Sequence, residues 1–184
     1  MADSQNGLDT GLNIDAQFAT NRAENPLSAH LEYALENRLW QYACQVYSQA
    51  GVEAALLVLQ DDHGADINLI LQALWLASED KRWTQACIPT DYDQWMEKQV
   101  LPLRLMRRSL KIEWVENRGS QYEGFRQQVK KLELNAEQHA LAMLFVRCDQ
   151  VPKSDTGLVI ANLAQLAEYS ELSREKFELL ISLI

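Results

Sequence analysis

The sequence predicts an all-α protein, an antiparallel bundle of five to seven helices around one central apolar helix at 67–78. Three observations predict it. Glycine (7) and proline (4) are sparse in 184 residues, which favours long helices over a turn-rich β fold. Hydrophobic residues make up 47% of the chain, enough to build a core. Residues 67–77 are apolar on nearly every side, interrupted by Asn68 and Gln72. A helix of that kind has no wet face of ordinary width and must be wrapped by others.

Residues 1–25 are polar and sustain no helical period, which reads as a disordered tail; residues 26–184 read as a single helical domain. Pro26 and Ser28 offer one start for the first helix, with Leu31, Leu35, Leu39, Ala43, Val46 and Ala50 as its apolar stripe. Asn37 offers another, as the cap of a shorter helix from Arg38. Gly51 stops this helix, and a second runs over 52–62, with Val52, Ala55, Leu56 and Leu59 inward. Gly64 supplies a left-handed stop. Asp66 suits the N-cap of the central helix, where its carboxylate meets free N–H groups and the positive end of the dipole.

Residues 79–90 read as a loop or a short helix. Asp91 then opens a long helix to about residue 117, with Trp95, Gln99, Leu103, Met106, Leu110 and Trp114 as its inner stripe. Pro102 lies inside it and predicts a kink over 98–101. Ser120 and Glu123 form a capping box for a fifth helix over 121–148. Asn135 offers a break, but the stripe of Leu134, Gln138, Leu141 and Phe145 carries across it. Two shorter helices, 156–168 and 172–183, are read as an addition at the periphery.

The net charge of −9 and pI near 4.8 disfavour non-specific binding to nucleic acid or an anionic membrane. Residues 91–131, with nine bases against six acids, form the basic part of the chain. No apolar run approaches the roughly 20 residues a bilayer span needs. No basic, then apolar, leader opens the sequence. Cys44, Cys87 and Cys148 are odd in number and far apart, which fits buried thiols in a reducing, cytoplasmic setting.

Two clusters carry functional leads. Arg104, Arg107, Arg108 and Lys111 share one helix face by their spacing. They suit a phosphate, a diphosphate or an acidic partner, since guanidinium forks match such groups. The alternative is a solvated face, or one paired with the chain's own acids. Asp66, Asn68 and Gln72 are the second lead. The two amides are either the wet side of the central helix or a buried polar seam with Asp66 facing Arg104 and Arg108.

Asp61-Asp62-x-x-x-Asp66 invites comparison with the aspartate-rich helices that hold Mg²⁺ on a diphosphate, but Gly64 interrupts it and no second cluster follows. His30, His63 and His139 lack zinc-site spacing, and no partner nucleophile flanks His63. No phosphate loop or nucleophile elbow is present. The five tryptophans fall mostly on inner stripes and read as core.

One stretch has a recognisable wording, Leu59-Gln-Asp-Asp-His-Gly-Ala-Asp-Ile-Asn-Leu-Ile-Leu. With Leu39, Trp40 and Tyr47 upstream, and Leu103-Arg104-x-x-Arg107-Arg108-x-Leu110-Lys111 downstream, it resembles the bacterial family named domain of unknown function 2390, over roughly residues 35–150. The resemblance implies an all-helical bacterial protein and assigns no activity.

The expectation is a non-enzymatic protein-interaction or regulatory module, without catalytic residues, metal or cofactor. The alternative is a small-anion-binding bundle using Arg104, Arg107, Arg108 and Lys111. An enzyme on phosphorylated or isoprenoid substrates is the third class.

Overall fold

The computed structural model describes residues 34–149, 151–154 and 158–184. The tail expected over 1–25, the Pro26 and Ser28 start, and His30 lie outside these. The described residues fold into seven helices, α1 (Arg38–Tyr47), α2 (Val52–His63), α3 (Ile67–Ser78), α4 (residues 92–118), α5 (Glu123–Asp149), α6 (Val159–Tyr169) and α7 (Glu178–Leu183). No strand occurs among them; one isolated bridge joins Lys81 to Lys153.

Local signals fix the first three helices. The α-helix begins at Arg38, and Asn37 caps it by accepting the Trp40 N–H at 2.9 Å. Gly51 stands in the left-handed region (φ 85°) as the residue before α2, rather than directly closing α1, which ends at Tyr47 with Ser48 as its C-cap. A β-carbon there would touch the Leu183 side chain at 3.4 Å, so α7 seats against this turn. Gly64 (φ 69°) stops α2, and Asp66 Oδ1 caps α3 by accepting the Asn68 N–H at 2.9 Å.

In α3 every residue from Ile67 to Ala77 is buried, as its composition demands. Helices α1, α2, α5 and α6 surround it. Its most extensive neighbour is α6, which buries Asn162, Leu163, Leu166 and Ala167. Of the two C-terminal helices, α6 therefore packs along one side of the central helix, while α7 packs on α2.

The long helix α4 departs from the sequence reading in one instructive way. It joins α-helical stretches (Tyr92–Trp95, Leu101–Ser109, Glu116–Arg118) through two π-helical ones, Met96–Val100 and Leu110–Val115. The Leu101 N–H reaches back five residues to Met96 O, and the Glu116 N–H to Lys111 O. Pro102 has no N–H to offer and its ring crowds the carbonyl four residues back, so the widened turn lies where a kink was expected.

Each π turn inserts a residue and rotates the inward face. Tyr92 is buried ahead of the first of these turns and Val100 at its end, while Gln99 and Met106, expected inside, are exposed. Arg104 and Arg107 turn partly inward in their place.

The α5 helix runs unbroken through Asn135. The capping box at its start does not form. Residues Ser120–Tyr122 make a 3₁₀ turn, and the Glu123 carboxylate points forward to Arg126 and Gln127. Asp91 likewise precedes α4 without a side-chain cap bond. Leu134, expected inside, is 50% exposed, and its neighbour Glu133 is 5% exposed instead. Trp75 and Trp83 are core residues, whereas Trp40, Trp95 and Trp114 are half-buried.

Candidate functional site

Of the two amides on α3, neither is a wet edge: Asn68 and Gln72 are 5% and 0% exposed. Gln72 is the hub of a sealed polar knot. Its Oε1 accepts the indole N–H of Trp83 at 2.9 Å. Its Nε2 donates to Cys87 O and Cys148 Sγ, both at 2.9 Å. Asn162 of α6 completes the knot. It accepts the Trp83 backbone N–H at 2.9 Å and donates to Ala73 O and Lys81 O at 3.0 Å each. Buried amides need such partners, and this knot pins the 79–90 connection onto α3.

Asp66 and Asn68 do meet α4, but not through its arginines. The Tyr92 hydroxyl donates to Asp66 Oδ2 at 2.9 Å, and Asn68 Nδ2 lies 3.8 Å from Met96 Sδ. Burial pushes the Asp66 carboxyl up, against the lowering from Tyr92, the Asn68 and Leu69 amides and the field of Arg104. Tyr92 is driven well above its ordinary value, first by burial and then by Asp66. The expected seam of Asp66, Asn68 and Gln72 against Arg104 and Arg108 is thus replaced by an aromatic and sulfur contact. The reason is rotational: Tyr92 and Met96 at the start of α4 face α3, and the widened turn at Met96–Val100 carries the arginines that follow it round toward α5.

The basic face divides three ways. Arg104 and Arg107 converge on two carboxylates of α5. Arg104 donates to Glu133 Oε1 at 3.4 Å and to Glu137 Oε1 at 2.6 Å. Arg107 grips Glu133 with Nε on Oε2 and with Nη2 on Oε1 at 3.0 Å. Arg108 points out to Asp61 on α2, and Lys111 sits 3.8 Å from Glu116. The bond to Glu133 raises the Arg107 pKa and holds its charge. Burial raises the Glu137 carboxyl, with Arg104 opposing.

This network forms one wall of a cleft of about 480 Å³ bounded by α1, α2, α3, α4 and α5. Trp40, Ala43, Leu57, Ile67, Leu71 and Leu141 supply apolar lining, and Tyr47, Asn68, Arg104, Arg107, Glu133 and Glu137 the polar part. Burial lifts the Tyr47 hydroxyl to about 12, so it stays a neutral donor. Cys44 also borders the cleft, and desolvation and then Glu36 raise its thiol, which keeps it protonated. Gln72, Arg108 and Lys111 do not line it.

The profile of the DUF2390 family, described as proteins of unknown function, matches residues 38–144. The chain belongs to the DUF2390 family. The matched span holds α1 to α4 and most of α5, and so contains the whole cleft and three of the five residues at the buried knot's core, leaving Cys148 and Asn162 beyond it. No curated protein and no solved structure matches this family member. Among the described residues no helix is long and apolar enough to cross a membrane. Nor do three or more His, Cys, Asp or Glu side chains gather there as a metal site.

Sequence reasoning missed Glu133, Glu137 and Asn162. For the glutamates a signal existed: Arg104 and Glu133 lie at similar distances on either side of the Gly119 turn, so an antiparallel α4–α5 hairpin brings them level.

Proposed function

We propose that this chain is a non-enzymatic protein-interaction module whose cleft receives the apolar side chains of a partner helix. One observation carries the reading: a half-open cleft with apolar walls whose polar wall is already neutralised from within. Glu133 and Glu137 satisfy Arg104 and Arg107, so an incoming group is not required to bring charge. Leu57 (38% exposed) and Leu134 (50% exposed) extend the apolar lining onto the surface, as the rim of a groove for a helix does. Glu53 and Lys130 at the same cleft offer charges of both signs for register.

The test places a photo-crosslinking amino acid at Leu57, Leu134 or Ile160 in otherwise intact chains within cells. Ile160 is 67% exposed and does not line the cleft. The same protein adduct from the first two positions, and none from Ile160, supports the reading. Adducts from Ile160 alone, or equally from all three, overturn it.

A second reading is favoured by the convergence of Arg104 and Arg107 on the cleft, where a small anion would displace Glu137 or Glu133. Pyrophosphate raising the melting temperature of the wild-type chain, and not of Arg107→Met, would select it.

A further inference from the structure

The buried knot holds two thiols that the binding cleft does not use. Cys87 sits in the 3₁₀ turn Gln85–Cys87 and Cys148 near the end of α5; both are free, and they are 1% and 0% exposed. They lie against one another. One amide nitrogen bridges the two residues, with Gln72 Nε2 standing 2.9 Å from both Cys148 Sγ and Cys87 O. Thr84 Oγ1 is 3.9 Å from Cys87 Sγ on another side.

A second cavity, about 470 Å³, opens directly over this turn. Thr84, Ala86, Arg82, Arg147 and Lys153 line it, and Arg147 donates to Ala86 O at 2.8 Å. Cys87 is itself buried and does not line this basic recess, but it adjoins the lining residue Ala86, and the recess has room for water-sized molecules. The surroundings also divide the labour: Cys148 is held by Gln72 and its thiol is pushed up by its neighbour and by burial, whereas the neighbouring Cys148 thiol, the Thr84 contacts and, least, the field of Arg147 draw the Cys87 thiol down against its burial.

We propose that Cys87 and Cys148 form a redox couple, in which a small hydroperoxide entering the basic recess oxidises Cys87 and Cys148 then closes a disulfide on it. In the first step the Cys87 sulfur attacks the peroxide. An S–O bond forms, the O–O bond breaks, and the departing oxygen leaves as water or alcohol with the proton Cys87 gave up. In the second step the Cys148 sulfur attacks the Cys87 sulfenic acid. The S–S bond forms, the S–O bond breaks, and the hydroxyl leaves as water with the Cys148 proton. Two thiols and one hydroperoxide thus give one disulfide, with the peroxide reduced by two electrons.

Closure draws Cys148 Sγ away from Gln72 and so disturbs the indole of Trp83 bonded to the same amide.

The experiment titrates the reduced full-length chain with hydrogen peroxide, blocks remaining thiols with iodoacetamide, and maps peptides digested without reduction. The expected result is a peptide pair joined through Cys87 and Cys148 while exposed Cys44 remains alkylated, with a shift in tryptophan emission that dithiothreitol reverses. Cys148→Ser should trap a Cys87 sulfenic acid that dimedone labels. Oxidation of Cys44 with Cys87 and Cys148 still in the thiol form, or links through Cys44, overturns the proposal. The wild-type map decides even if the variant fails to fold.

Discussion

Trp83 donates its indole N–H to Gln72 Oε1 at 2.9 Å, in a site where both side chains are almost wholly sealed from water. Gln72→Leu fills the same space and leaves the indole N–H and Cys87 O without this partner. Each orphaned group costs about 1–3 kcal/mol, so the variant should lose about 2–6 kcal/mol in urea unfolding. A midpoint within error of wild type would show that water replaces the amide.

Asn162 carries a heavier share, since one side chain satisfies a backbone N–H and two carbonyls. Asn162→Ala should cost about 3 kcal/mol or more, because three buried groups lose their partner together. Asn162→Asp keeps the acceptor for Trp83 N–H and loses both donations, so it should be no better than alanine. Thermal unfolding of the two variants side by side checks the order.

Glu133 is 6% exposed in its side chain and is gripped by Arg104 and Arg107, themselves at 15% and 23%. Glu133→Ala leaves two half-buried guanidiniums against one remaining carboxylate, and should cost about 3 kcal/mol. Pairing Glu133→Met with Arg107→Met removes both charges together and should recover most of that loss. A double-mutant cycle on unfolding free energies measures the coupling.

Asp66 gives stability a pH dependence of defined sign. Burial is the largest influence and raises its carboxyl above the ordinary range, and Glu137 is displaced in the same direction. A folded pKa above the unfolded one means the native state holds the proton more tightly. The contribution is full below the ordinary carboxylate pKa and declines as pH rises through the folded value. Asp66→Asn keeps an acceptor for the Asn68 N–H and should flatten that decline, leaving the part due to Glu137. Asp66→Ala also loses the cap and should cost about 1 kcal/mol at every pH. Denaturation midpoints across the acidic to neutral range separate the two.

What sequence reasoning reaches here is set by range. Asn37, Gly64 and Asp66 act on amides within a turn of themselves, so their roles are legible from neighbours alone. The enclosure of residues 67–77 is legible too, because a stripe with no polar side has one place to go. The phase of α4 is not, since each π turn shifts the helix face by one residue and composition does not announce it. That one-residue shift is why Met106 was expected inside and Arg104 toward α3. Glu133 was within reach of a hairpin argument. Asn162 and the Cys87–Cys148 pair were not, because their meaning comes from partners brought near by tertiary packing.

The seating of α7 on α2, with Leu183 against Gly51, has a consequence for biosynthesis. The flank of α2 beside Gly51 stays bare until residues 178–183 have left the ribosome, more than a hundred residues after α2 itself. The nascent chain therefore carries an open greasy seam while the residues between α2 and α7 are made, and a chaperone that shields such seams would be engaged during that interval rather than afterwards.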